Sequence, residues 1–350
     1  MPASETVLDF RGDWAALPTA AMRKAMAEAE LGNDMDGEDP TVNRLEERVA
    51  GMLGKEAAMF VASGTMGNLI GIMSLARWGT EILVGDQSHI FGAEQGGASA
   101  LAGHPFKPLP NDRLGAIDPD DVARAIKPED QHYARTGLLC LENTHNVRGG
   151  TAIPVNTIQA IADVAHGAGI PVHLDGSRLW HASVALDTPL EVLAGPVDTV
   201  QVCLSKGLAA PVGSMLAGPS AVIKEARRHR KILGGAMRQA GVLAAAGLVA
   251  LDEIYPRLDE DHRNARRLAE GLAELPGVSV DLETVQTNLV YANFPAVLPG
   301  HELEARLKSE GILVGAYDPK RVRFALHYQI DRAGVDRTLA AVKRIVTQAA

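Results

Sequence analysis

The chain has only two cysteines, Cys140 and Cys203, which is too few for a disulfide framework. Both lie inside apolar runs, where a free thiol packs as a small hydrophobe, and a reducing, cytoplasmic setting is expected. No apolar run is long enough to cross a bilayer. The longest, Ala240 to Leu251, has the length of a buried helix, so no membrane span is expected. The amino terminus carries Glu5 and Asp9 without a basic-flanked apolar segment, which argues against a signal peptide. Charge of one sign is not concentrated anywhere: 34 basic and 43 acidic side chains are interspersed, and the net charge of −9 forms neither an acidic tail nor a basic stripe. The run Arg227-Arg228-His229-Arg230-Lys231 has no aromatic interleaving, and reads as a solvated or interface helix face rather than a nucleic-acid patch. His104, His166, His229, His262 and His301 lack ligand-like spacing; they read as surface residues, and no metal site is expected.

What is present is a chain of 350 residues, 46% hydrophobic, long enough for two domains around sizeable cores. From about Lys55 to Ser205, short apolar runs alternate with longer helix-like segments, the pattern of an α/β domain with a mostly parallel sheet. The expected strands are Ala57–Ala62, Ile82–Val84, Gly137–Leu141, Ile170–Leu174 and Thr199–Leu204. Asp39 suits a helix cap, Pro40 suits the first helical position, and Val42, Leu45 and Val49 line one apolar face. After Pro256 the pattern changes to a charged amphipathic helix (Leu258–Leu275), strand-like runs at Val278–Leu282, Asn288–Asn293 and Val322–His327, a helix near His301–Glu310 and a terminal helix. We therefore expect a large domain over residues 1–255, including an N-terminal arm, and a small α+β domain over residues 256–350.

Ser205-Lys206-Gly207 follows the apolar run Thr199–Leu204, so one lysine stands at the carboxyl end of an expected buried strand, where open parallel sheets bind ligands. A partly desolvated amine is able to form a Schiff base with an aldehyde; a surface lysine in a turn fits the same three residues. Ile170–Leu174 delivers Asp175 to a neighbouring strand end. A pyridoxal cofactor needs a carboxylate beside its ring nitrogen to keep it protonated. Asp175 also suits a helix cap before Ser177–Leu186, and both roles are compatible. Ser63-Gly64-Thr65-Met66-Gly67-Asn68 precedes the helical segment Leu69–Trp78, and small residues there let backbone N–H groups approach a phosphate. This loop matches neither GxGxxG nor the P-loop, which counts against a dinucleotide or nucleoside triphosphate.

Longer motifs in a fixed order carry a resemblance: GEDPTVNRLEE from Gly37, FVASGTMGN from Phe60, His89 through Glu94 to Gly97, LENTHN from Leu141, HLDGSRLW from His173, SKGLAAPVGS from Ser205, and GGAMRQAG from Gly234. From about Asp9 to Ala246 the chain resembles the threonine aldolase family of fold-type I pyridoxal-phosphate enzymes, with a looser match at Val322–His327. The resemblance implies a small-molecule amino-acid substrate and a retro-aldol cleavage of a β-hydroxy-α-amino acid to glycine and an aldehyde. It makes Lys206 the cofactor-bearing lysine, Asp175 the partner of the pyridine nitrogen and His89 the ring stacked over the cofactor. Ser63, Gly64 and Thr65 border the phosphate, with Arg178 also near the cofactor. Arg238 reaches the phosphate of a neighbouring subunit, so a homo-oligomer, dimer or tetramer, with sites at the subunit interface is implied. Arg178 and Arg323 clamp the substrate carboxylate.

His89 and His132 are both candidates for the base that takes the β-hydroxyl proton. The chain departs from the family pattern where Gly12 replaces a usual Ser, Asp36 a usual Tyr, and Ser177 a usual Ala; Gly12 and Asp36 are expected to border the substrate. A β-eliminating lyase of the same fold, releasing ammonia and a keto acid, and a non-catalytic pyridoxal-phosphate protein are the alternatives.

Overall fold

The computed structural model describes residues 7–349, so Glu5 and the stretch around it lie outside the described residues. A seven-stranded sheet runs, edge to edge, Ala57–Val61, Ser214–Gly218, Thr199–Cys203, Val172–Asp175, Thr136–Glu142, Glu81–Gly85 and Phe106–Leu109. Ser214–Gly218 is antiparallel to both neighbours, and every other pairing is parallel. Helices cover both faces, which is why Val172–Asp175, Thr199–Cys203 and Ser214–Gly218 are buried throughout, their polar members His173, Asp175, Thr199 and Gln201 included.

Two strands of this sheet were not anticipated. Phe106–Leu109 is a short edge strand whose middle residues, Lys107 and Pro108, are exposed; an edge position tolerates the missing N–H of proline. Ser214–Gly218 follows a turn at Gly213, whose φ of 107° and contact with Phe60, 2.4 Å from a would-be Cβ, admit only glycine. The helix after Ser63 begins at Gly64, five residues before the expected Leu69, because the Ser63 hydroxyl accepts from Met66 N (3.2 Å) and caps it there. Asp39 caps Pro40–Met52 through Thr41 N (3.1 Å) and Val42 N (3.0 Å). His104 and His262 are not surface residues: His104 is buried on the Thr80 carbonyl (2.9 Å), and half-buried His262 contacts the His181 ring (2.9 Å).

Among the described residues, one large apolar core gathers side chains from Ala16 to Leu258 around the sheet. A second gathers Ala265 through Val346 around an antiparallel sheet ordered Gly315–Ala316, Arg321–Ala325, Leu289–Asn293, Ser279–Val280. Leu8 and Phe10 belong to this second core, and Leu8–Asp9 pairs in parallel with Ile312–Leu313. The amino-terminal arm is thus held on the small domain by this two-stranded pairing and by the Ala325 N–H, which donates to the Phe10 carbonyl (2.8 Å), before residues 11–14 reach the site. Among the described residues, no helix is long and apolar enough to cross a membrane.

Candidate active site

Register brings three carboxyl-end residues side by side: Glu142 opposite Asp175, and Asp175 opposite Gln201. Asp175 is only 1% exposed, and its charge is held by donors rather than water. Asn68 Nδ2 donates to Asp175 Oδ2 (3.0 Å) and Ser177 N to Oδ1 (3.0 Å). With the Gln201 amide turned so that its oxygen accepts from Val202 N and Cys203 N, its nitrogen donates to Asp175 Oδ1 at 3.1 Å. Burial alone would raise the Asp175 pKa, but the charges of Lys206 and His89 and the Ser177 hydrogen bonds outweigh it and lower the pKa.

The orientation of Asn68 is set from behind. His173 Nε2 lies 3.1 Å from Asn68 Oδ1 and its Nδ1 lies 2.8 Å from Thr199 Oγ1. Burial pushes the His173 pKa down to about 4, so the ring is neutral. Asn68 Oδ1 can only accept, which assigns the ring proton to Nε2 and leaves the amide nitrogen free to donate forward. That nitrogen also donates to Glu94 Oε1 (2.8 Å).

His89 opens a single helical turn, His89–Gly92, with its backbone N–H on Glu142 Oε2 (2.6 Å). Its Nδ1 lies 2.9 Å from Glu94 Oε1. That hydrogen bond raises the His89 pKa against the opposing effect of burial, with Asp175 adding to the rise. Glu94 is itself raised, by burial first and by the nearby Asp175 charge. One ligand atom each from His89, Glu94 and Asp175 lie within 4.8 Å of one another, a spacing that suits a metal ion. Asn68 Nδ2 donates to both carboxylates, Glu94 Oε1 and Asp175 Oδ2, so an amide N–H already occupies the space between them.

Lys206 lies three residues beyond the strand Thr199–Cys203, half-buried, and its charge acts on Asp175, Asp13 and His89. The helix Gly64–Leu75 points its amino end into the same crevice. A Cβ on Gly64 would lie 2.8 Å from Cys203 Sγ, so glycine is required for this approach. Because Ser63 Oγ caps Met66 and Ser63 O takes Gly67 N, the N–H groups of Gly64 and Thr65 have no partner among the described residues. Two free N–H groups at a helix start suit a phosphate.

On the far side of the crevice, Arg178 is buried and paired with Asp13 through Nε (2.7 Å) and Nη2 (2.8 Å). Asn288 Nδ2 also donates to Asp13 (3.1 Å). The pair holds the Asp13 pKa far down and the Arg178 pKa up, against the larger opposing effect of burial on each. The third nitrogen, Arg178 Nη1, and Arg323 Nη1 converge on Asn146 Oδ1 at 3.2 and 3.4 Å. Arg323 is anchored in turn by the Arg11 carbonyl (2.7 Å). Two guanidinium groups on one oxygen describe a seat for a carboxylate.

The structure does not bring every expected residue to this group. His132 is exposed, bonded to Asp130 Oδ1 (2.7 Å), and precedes the amino end of Thr136–Glu142, the end opposite Glu142. Within one chain it is out of reach of Asp175. Arg238 and Asp36 are exposed, Asp34 N bonds the Arg238 carbonyl (2.8 Å), and neither side chain contacts the Asp175 group. Gly12 lies beside Asp13, at the Arg178 end. Asp13 and Asn288 had not been expected at the site, and Asn68, Glu94, Glu142, Asn146 and His173 only as members of motifs.

A model of the beta-eliminating lyase family matches residues 9–294. Low-specificity L-threonine aldolase 1 of Arabidopsis thaliana is 43% identical over 342 residues, covering 96% of each chain. The low specificity L-threonine aldolase of Escherichia coli (strain K12) is 39% identical over 330 residues, 93% of this chain and 95% of that one. Among solved structures, a threonine aldolase of Leishmania major superposes with a TM-score of 0.82 at 21% identity, covering 97% of this chain and 99% of that one. Fold and site together define a fold-type I lyase whose cofactor is pyridoxal 5′-phosphate: a lysine amine, an ionised buried carboxylate and a helix start with unpartnered N–H groups face one crevice, which fits that group. Within that class, the chain belongs to the threonine aldolase family.

Proposed function

We propose that this enzyme cleaves β-hydroxy-α-amino acids of the L-threonine and L-allo-threonine type to glycine and an aldehyde. The observation that carries the reading is the joint placement of a carboxylate seat, at Arg178 and Arg323, and a buried ionised Asp175 next to Lys206. The cofactor, when bound, accepts the electron pair left on the substrate Cα as the Cα–Cβ bond breaks.

The protein's own residues divide the rest. Lys206 would hold the cofactor through its side-chain amine, Asp175 would sit against the ring nitrogen and favour its protonated form, and Gly64 and Thr65, with Ser63 capping behind them, would bind the phosphate. Arg178 and Arg323 fix the substrate carboxylate, which sets which bond at Cα stands ready to break. His89 is the base within one chain: its Nε2 side takes the β-hydroxyl proton while Nδ1 stays bonded to Glu94. The proton given back to Cα completes glycine. His132 is able to act only if another copy of the chain delivers it, and Arg238 is assigned to the phosphate of a neighbouring copy, in a dimer or tetramer. The cofactor-binding domain extends to about residue 255 and the small domain follows from 256, with Leu8 and Phe10 of the arm packed into the core of the latter, and the cytoplasm is the proposed compartment, in keeping with two unpaired, buried thiols.

The test is aldehyde release from L-threonine and L-allo-threonine, followed through a coupled alcohol dehydrogenase. Wild-type protein is expected to release aldehyde from both and Lys206→Ala from neither, with loss of the visible band of lysine-bound cofactor. A Lys206→Ala protein that keeps both band and activity would contradict the assignment.

A further inference from the structure

Beside the anchors of the two guanidinium groups, Trp14 folds over Gly12 with an indole nitrogen that has no partner among the described residues. Arg323 is held by the Arg11 carbonyl (2.7 Å) and Arg178 by the Asp13 carboxylate (2.7 and 2.8 Å), so Gly12 lies in the chain between the two anchors. Gly12 is extended, with φ −174° and ψ 152°, a backbone open to any residue. The need for glycine comes instead from Trp14. A Cβ on residue 12 would lie 2.0 Å from Trp14 Nε1 and 2.5 Å from Cδ1 and Cε2. The indole is folded back over Gly12 with its nitrogen foremost, although Trp14 is 53% exposed. The Arg11 guanidinium, 5.8 Å from the ring centroid, is within cation–π reach and favours that pose. Among the described residues nothing accepts a hydrogen bond from the indole N–H, the one polar group tryptophan carries.

We propose that Trp14 Nε1–H is a specificity-determining donor to the carboxylate of the amino-acid substrate, acting beside Arg178 and Arg323. An ionised carboxylate has about four acceptor sites, so two guanidinium nitrogens leave room for a third, neutral donor. The Gly12–Trp14 pair supplies it from a side chain two residues along the chain, in space that any side chain on residue 12 would fill. The inference rests on the aldolase reading only in taking an amino acid as the ligand.

The experiment compares cofactor-loaded wild type with Trp14→Phe, which keeps a ring over Gly12 and removes the N–H. Calorimetric titration uses glycine, the carboxylate-bearing product, and methylamine, which has the amine alone. Trp14→Phe is expected to weaken glycine about tenfold, the effect of one hydrogen bond to a charged group, and to leave methylamine unchanged. Glycine affinity within twofold of wild type overturns the proposal, as does an equal loss for both ligands, which would mean the ring only supports the structure. If wild type itself binds no glycine, the amino-acid reading of the site fails with it; if wild type binds glycine and the variant matches it, only the indole assignment fails.

Discussion

Asp175 keeps its charge in a site that shuts out water because Asn68, Ser177 and Gln201 supply the hydrogen bonds that water would, and because Lys206 and His89 lie close by. His89 is tuned the other way from a buried histidine such as His173: its bond to Glu94 raises its pKa, so it keeps a proton to higher pH than an ordinary imidazole. Only the neutral ring takes a proton, so activity should fall on the acid side at the raised His89 pKa. Glu94→Gln removes the acceptor charge; the acid limb of the kcat profile should then move to lower pH. A limb that stays in place would remove His89 from the role of base. At this scale Lys206 and Asp175 were legible because each ends an apolar run. Their partners were not. Asp13 and Arg178 are 165 residues apart in the chain, and Asn288 and Asp13 are 275 apart; nothing local marks such pairs. Which end of its strand His132 precedes was equally illegible, and within one chain it lies at the end away from Glu142.

Asp39 does more than start a helix. Its Oδ1 caps Thr41 and Val42 while its Oδ2 accepts from Gly241 N (2.9 Å) and Gly32 N (3.3 Å), so one buried carboxylate joins the helix Pro40–Met52 to the start of Gly241–Val249. A cap alone is worth about 1 kcal/mol, and hydrogen bonds from buried N–H groups to a charged acceptor about 1.5–3 kcal/mol. Asp39→Ala should therefore destabilise the fold by roughly 2–4 kcal/mol in urea unfolding, on the same scale. A change under about 0.5 kcal/mol, the size of an ordinary surface substitution, would show that the carboxylate is not needed. The five strands expected from apolar runs all formed, four with parallel neighbours and Ala57–Val61 antiparallel at an edge, because side chains covered on both faces are mostly apolar. Phe106–Leu109 and Ser214–Gly218 were missed for different reasons: the first is too polar at an exposed edge, and the second starts inside the glycine-bearing motif SKGLAAPVGS.

Over the whole chain, the amino-terminal arm and the small sheet close one side of the crevice, with Phe10 buried against Phe324 and Arg323 reaching back to Arg11. The opposite side is less complete, since Arg238 is exposed and contacts nothing in the Asp175 group. If a second copy supplies Arg238, then Lys206→Ala and Arg238→Ala chains, each impaired alone, should regain part of the activity when co-expressed, because mixed assemblies hold some sites with both residues. No gain over the separate proteins would place Arg238 outside its neighbour's site. Apart from Leu8 and Phe10, the second core begins at Ala265, beyond the change of pattern near Pro256; the arm's attachment to it was not legible, because Leu8 and Phe10 are too few to show a period. The central claim is bond cleavage between Cα and Cβ. Its most direct measurement is the product balance from L-threonine with the cofactor-loaded enzyme: glycine and acetaldehyde in equal amounts, without ammonia, are predicted, and ammonia with a keto acid in place of glycine would contradict the account.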